Sequence, residues 1–103
     1  MGVPQYTSPT FTLTFNEEEL DLTTARNVYV TFRSKERVLT KTGEDLVVDP
    51  KTISVYVSQA ECANFYIGTL LIQANWIDDM GNRIASDIVR CDVTDNLLKQ
   101  VVE

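Results

Sequence analysis

The chain has 103 residues, with 9 basic and 15 acidic side chains, a formal charge of −6, no histidine and two cysteines, a size at which one domain can bury a core without metal or disulfide staples. Without histidine, the Ser-His-Asp and Cys-His routes to an activated nucleophile are closed, and Cys62 and Cys91 alone form neither a Cys-x-x-Cys pair nor a four-thiol zinc site. Lysines and arginines scattered singly in an acidic chain speak against nucleic acid, and no apolar run approaches the roughly 18 residues of a membrane span.

Thirty β-branched and nine aromatic side chains lean the expectation towards an all-β fold. Met1 to Tyr6 shows neither a basic start nor an apolar block, so no secretory signal is read; synthesis in the cytoplasm and reduced thiols are expected. Residues 1–9, with Pro4 and Pro9 in a polar setting, read as an arm leading into the first strand. Thr10 to Phe15 alternates strictly, which directs Phe11, Leu13 and Phe15 to a core and the threonines to solvent. An acidic break follows at Glu17, Glu18 and Glu19, and Thr23 to Ala25 suits a short helical turn. Asn27 to Arg33 alternates again, with Val28, Val30 and Phe32 inward and Tyr29, Thr31 and Arg33 outward.

Val38 to Thr42 and Leu46 to Val48 read as short edge strands flanking a hairpin turn at Gly43. Thr52 to Val57 is the next alternating strand, with Ile53, Val55 and Val57 inward. Ser58-Gln59-Ala60-Glu61 then matches a capping box, and a helical turn or two is predicted over residues 59–65. Thr69 to Ile77 sends Leu70, Ile72, Ala74 and Trp76 inward; Leu71 breaks the polar outward set and marks a place for contact with another chain. Asp78 to Asn82 is a turn by composition, so residues 69–77 and 83–93 form a long antiparallel hairpin. In its second arm the apolar parity slips, which predicts a β-bulge or a change of face near Ile88. The tail over residues 96–103 spaces Leu97, Leu98, Val101 and Val102 like a short helix that docks or frays.

About seven short strands with one short helical connection imply an all-β, immunoglobulin-like, two-sheet antiparallel β-sandwich, with a small barrel as competitor. The order Cys62, Trp76, Cys91 imitates the antibody signature, but Cys62 falls in the helical connection. Cys91 reads as a small buried apolar residue and Trp76 as core. The acidic run from Glu17 to Asp21 lacks calcium-loop spacing and reads as a solvated turn; Asp78, Asp79 and Asn82 surround a glycine, where weak calcium binding is the alternative to the turn chemistry that explains the same residues. No cofactor, metal or catalytic residue is assigned. The candidate contact residues are Tyr6, Tyr29, Tyr56, Tyr66 and Leu71; the tyrosines, if gathered on one face, would stack on sugar rings or anchor a protein interface.

The segments Pro9-Thr10-Phe11-Thr12-Leu13, Val28-Tyr29-Val30-Thr31-Phe32, Leu39-Thr40-Lys41-Thr42-Gly43 and Ser58-Gln59-Ala60-Glu61, with Ile72-Gln73, Trp76 and the Asp79-Met80-Gly81-Asn82-Arg83 turn, carry a resemblance. Together they resemble small β-sandwich proteins of bacteriophage and prophage tail regions, in the style of the N-terminal domain of phage baseplate upper proteins. The resemblance implies a non-enzymatic virion or assembly component that binds other tail or baseplate proteins or further copies of itself. A carbohydrate-binding module using exposed tyrosines is the alternative.

Overall fold

The computed structural model describes residues 2–100 and 102. Nine strands and one short α-helix follow in order: β1 (Gly2–Pro4), β2 (Thr10–Thr14), β3 (Arg26–Ser34), β4 (Arg37–Thr42), β5 (Leu46–Val48), β6 (Thr52–Tyr56), α1 (Gln59–Ala63), β7 (Gly68–Ile77), β8 (Arg83–Ala85) and β9 (Val89–Thr94). Six strands form a mixed sheet ordered β1-β9-β7-β3-β4, with β8 also on β7; three form an antiparallel sheet ordered β2-β6-β5.

Alternation places the core as expected. Val30, Phe32, Leu70, Ile72, Ala74 and Trp76 from the larger sheet meet Leu13, Ile53 and Val55 from the smaller in one buried cluster. Ring contacts tie the sheets together: Phe11 to Phe32 at 5.2 Å and Phe15 edge-on to Trp76 at 5.6 Å. The capping box forms too, with the Ser58 hydroxyl accepting from the Glu61 amide and the Glu61 carboxylate accepting from the Ser58 amide.

Several expectations are corrected. Gly2–Pro4 is a strand and not a leading arm: it pairs parallel with β9, Val3 opposite Val93, and Val3 is buried, so the larger sheet is mixed where a purely antiparallel fold was expected. The strand count is nine where about seven were expected, because Gly2–Pro4 adds a strand and the expected 83–93 arm is divided into β8 and β9. β4 and β5 do flank Gly43 and both lie at edges, but they do not pair with each other. A 3₁₀ turn at Gly43–Asp45 instead carries the chain from one sheet to the other. Cys91 is only half-buried, while Cys62 in α1 is fully buried and both thiols are free.

The long hairpin is interrupted where the parity slips. Ile77 pairs with Arg83 and Asn75 with Ala85, whereas Ile72 pairs with Val89 and Gly68 with Val93, a shift of one residue in register. Ser86 fills the break: its hydroxyl accepts the Ala74 amide at 2.9 Å, its amide donates to the Ala74 carbonyl, and its carbonyl accepts from the Gln73 side chain. No helix forms among the described residues of the tail. The Gln59 amide group grips the backbone of Val102 by two hydrogen bonds, and Asn96 donates to the Gln5 carbonyl; Val101 lies outside the described residues. Among the described residues, no helix is long and apolar enough to cross a membrane.

Candidate protein interface

The five candidate residues do not gather into one site. Tyr29 and Leu71 share the outward face of the larger sheet; Tyr56 projects from the opposite face of the molecule, on the outward side of β6. Tyr66 lies in the connection from α1 to β7, and Tyr6 occupies the turn after β1 at φ 63°.

The pairing register shows what surrounds Leu71. Val38 of β4 lies opposite Arg33 of β3, Arg33 opposite Leu71 of β7, and Leu71 opposite Arg90 of β9. Directly paired residues point to the same side of a sheet, so Val38, Arg33, Leu71 and Arg90 make one row across four strands. Arg33, Lys35, Thr69 and Leu71 line a shallow groove of ≈ 440 Å³ there. Two rows further along, Tyr29 lies between Thr42 and Asn75. A chain of charge −6 thus presents on this face two arginines alternating with the aliphatic side chains of Val38 and Leu71. The parity of β3 places Arg33 outward from sequence alone; its closeness to Leu71 and Arg90 depends on pairings the sequence does not display.

Tyr66 is bound into the structure. Lys35 and Arg37 each stand 5.1 Å from its ring centre. Its amide donates to the buried Ser34 hydroxyl at 2.6 Å, which donates back to the Tyr66 carbonyl at 3.4 Å. The tight β3–β4 turn holds Lys35 at φ 54°, and the Lys35 carbonyl accepts from Arg33. Beside this cluster Lys41, pointing inward from β4, makes a 2.7 Å ion pair with Glu61. Burial alone would raise the Glu61 carboxyl, but hydrogen bonds from Lys41 and Ser58 outweigh it and hold the group below its ordinary value. Burial, helped by Asp92, pushes the Cys91 thiol up.

The acidic segments are turns. Asp21 accepts from the amide and hydroxyl of Thr23, which holds its carboxyl below the ordinary value. The Lys51 ammonium donates to the carbonyls of Glu17, Glu18 and Leu20, so a lysine occupies the centre of the loop. Asp78 accepts the amides of Met80 and Asn82, and Gly81 supplies φ 85° in the same turn. A cavity of ≈ 370 Å³ opens beside Glu17, Glu19, Asp78, Asp87 and the Trp76 edge. Among the described residues, no three His, Cys, Asp or Glu side chains converge as a metal cluster.

No protein family model matches the chain, and comparison with curated proteins and with solved structures finds no match either.

Proposed function

We propose that the chain is a non-enzymatic structural or assembly module of a phage tail or baseplate, working through protein–protein contacts on an immunoglobulin-like sandwich. The strand order supports the fold reading. An immunoglobulin domain of variable type sets strands B, E and D on one sheet and G, F, C and C′ on the other. Here β2, β6 and β5 take the first set in order, and β9, β7, β3 and β4 the second.

The observation that carries the functional reading is the row Val38–Arg33–Leu71–Arg90 on the outward face of the larger sheet, with Tyr29 on the same face. Arginine and tyrosine are enriched at protein interfaces, and a leucine set between two arginines offers both burial and charge-assisted hydrogen bonds. The carbohydrate alternative needs rings gathered on one face, and Tyr29 and Tyr56 emerge from opposite sheets.

The test is co-sedimentation of the chain with assembled tails or baseplates from a phage carrying its gene. Association is expected, and Leu71→Glu should weaken it by at least about tenfold, the scale of one lost interface anchor. A gene lying apart from tail genes, together with no association, would remove the reading.

A further inference from the structure

The free edges of the two sheets are not alike. β4 carries Arg37 and the inward Lys41; β5 has three residues between Asp45 and Asp49; β1 has three and ends in Pro4; β8 has three and begins with Arg83. Charge, proline and brevity are the devices that keep sheet edges from pairing with other chains. β2 has none of them: Thr10-Phe11-Thr12-Leu13-Thr14 is uncharged, five residues long and in unbroken register with β6.

The ladder also shows which backbone groups β2 leaves over. Val57 donates to the Pro9 carbonyl and Phe15 to the Lys51 carbonyl, so the odd-numbered residues face β6. Hydrogen bonding alternates along an antiparallel strand. The amides and carbonyls of Thr10, Thr12 and Thr14 therefore point away from β6, and among the described residues no strand lies on that side. Beside this edge runs a groove of ≈ 270 Å³ between residues 12–15 and Ser86, Asp87 and Val89. Val89 lies opposite the buried Ile72, yet is 44% exposed. The core is open along the seam where β2 faces the register break.

We infer that β2 is a self-pairing edge: two copies of this chain join antiparallel through Thr10–Thr14, turning two three-stranded sheets into one of six strands. The inference rests on the contact-module reading only in treating the chain as one that works through its surfaces. The segment is its own complement. Centred on Thr12, the pairing sets Thr12 against Thr12, Thr10 against Thr14 and Phe11 against Leu13. It joins three outward amides and three outward carbonyls of each copy and extends apolar cover over both seams. β-branched cross-strand pairs of this kind are favourable. Charge selects the direction: antiparallel pairing keeps the acidic runs Glu17 to Glu19 of the two copies at opposite ends of the paired strands, whereas parallel pairing would set them together. The arrangement is isologous and closes at two copies.

Sedimentation equilibrium of the intact chain over about 0.01 to 1 mM tests this, a range suited to a small, weak interface. A monomer–dimer equilibrium is expected, with the amides of Thr10, Thr12 and Thr14 slowing in hydrogen exchange as the dimer fills. Thr12→Pro deletes an amide that β6 does not use and should weaken dimerisation by more than about tenfold. Thr12→Lys and Thr12→Glu should each be monomeric and should associate when mixed, which keeps the test available if the proline variant does not fold. A wild-type chain monomeric throughout, a dimer indifferent to Thr12→Pro, or charge variants that fail to associate on mixing would overturn the inference. Tail association that survives Thr12→Pro would leave the proposed function standing independently, and a β2 dimer without tail association would do the reverse.

Discussion

The two ends of β7 finish the same sheet in different ways. At its beginning, polar side chains close the structure over Phe65, Cys62 and Leu70. Ser34 satisfies both backbone groups of Tyr66, Gln5 donates to the Phe65 carbonyl at 2.6 Å, and Lys41, Glu61 and Ser58 join β4 to the start of α1. At its other end the partner strand slips by one residue, and Ile84, Ile88 and Val89 stay exposed. A sheet end is sealed where side chains take up the backbone groups the strands leave unused. Where the backbone must reset its register, apolar side chains lose their cover, and that exposed seam adjoins the unguarded edge of β2.

The largest effect should come from emptying the closed end. Phe65 is 3% exposed and its ring lies 6.0 Å from that of Phe32. Phe65→Ala should destabilise the fold by about 3 to 5 kcal/mol, the usual cost of truncating a buried aromatic, measured by urea unfolding. Ile84→Ala at the open end, starting from 37% exposure, is the contrasting measurement and should cost about 1 to 2 kcal/mol. Equal losses at the two sites would erase the distinction between the ends.

A middle-sized effect belongs to the ion pair. Lys41→Met should cost about 1.5 to 3 kcal/mol near pH 7, the range of hydrogen bonds to charged groups, because Glu61 keeps its charge beside α1 without its 2.7 Å partner. The pH dependence has a definite sign. The folded Glu61 carboxyl titrates below its ordinary value, so its stabilisation is complete above an unfolded pKa of about 4.3 and is lost as pH falls through the lower folded value. The gap between wild type and Lys41→Met should therefore be constant from neutrality down to about pH 5 and narrow below about pH 4. A gap that widens in acid would place the coupling elsewhere.

What the sequence revealed and what it concealed divide along the same physical line. Alternation at Thr10 to Phe15, Tyr29 to Arg33, Thr52 to Val57 and Leu70 to Trp76 is local and survives folding, because one face of each strand is buried. The capping box is local as well. Gly2–Pro4 was hidden because its partner Asp92–Thr94 lies at the far end of the chain, and three residues ending in proline have no period of their own. The crossing at Gly43 was hidden because a glycine at positive φ serves a hairpin and a change of sheet equally well. Of the candidate contact residues, the parity of Tyr29 and Leu71 put both outward. Their common face, with Arg33 and Arg90 beside Leu71, depends on pairings between strands that no single segment encodes.

The smallest effect tests the break itself. Ser86 stands where a one-residue slip would leave the Ala74 amide without a partner, and its hydroxyl takes that amide while its own amide donates to the Ala74 carbonyl. Ser86→Ala keeps the backbone bond and removes only the hydroxyl. Because Ser86 is half-buried, water can partly replace the lost acceptor, and the cost should be about 0.5 to 1.5 kcal/mol. Hydrogen exchange separates this from a general loss of stability: the Ala74 amide should lose protection in the variant beyond that of its neighbours on β7, while the amides paired with β3 keep theirs relative to global unfolding. Uniform acceleration across β7 would mean that the slip is held by the strands on either side, and that Ser86 only accompanies it.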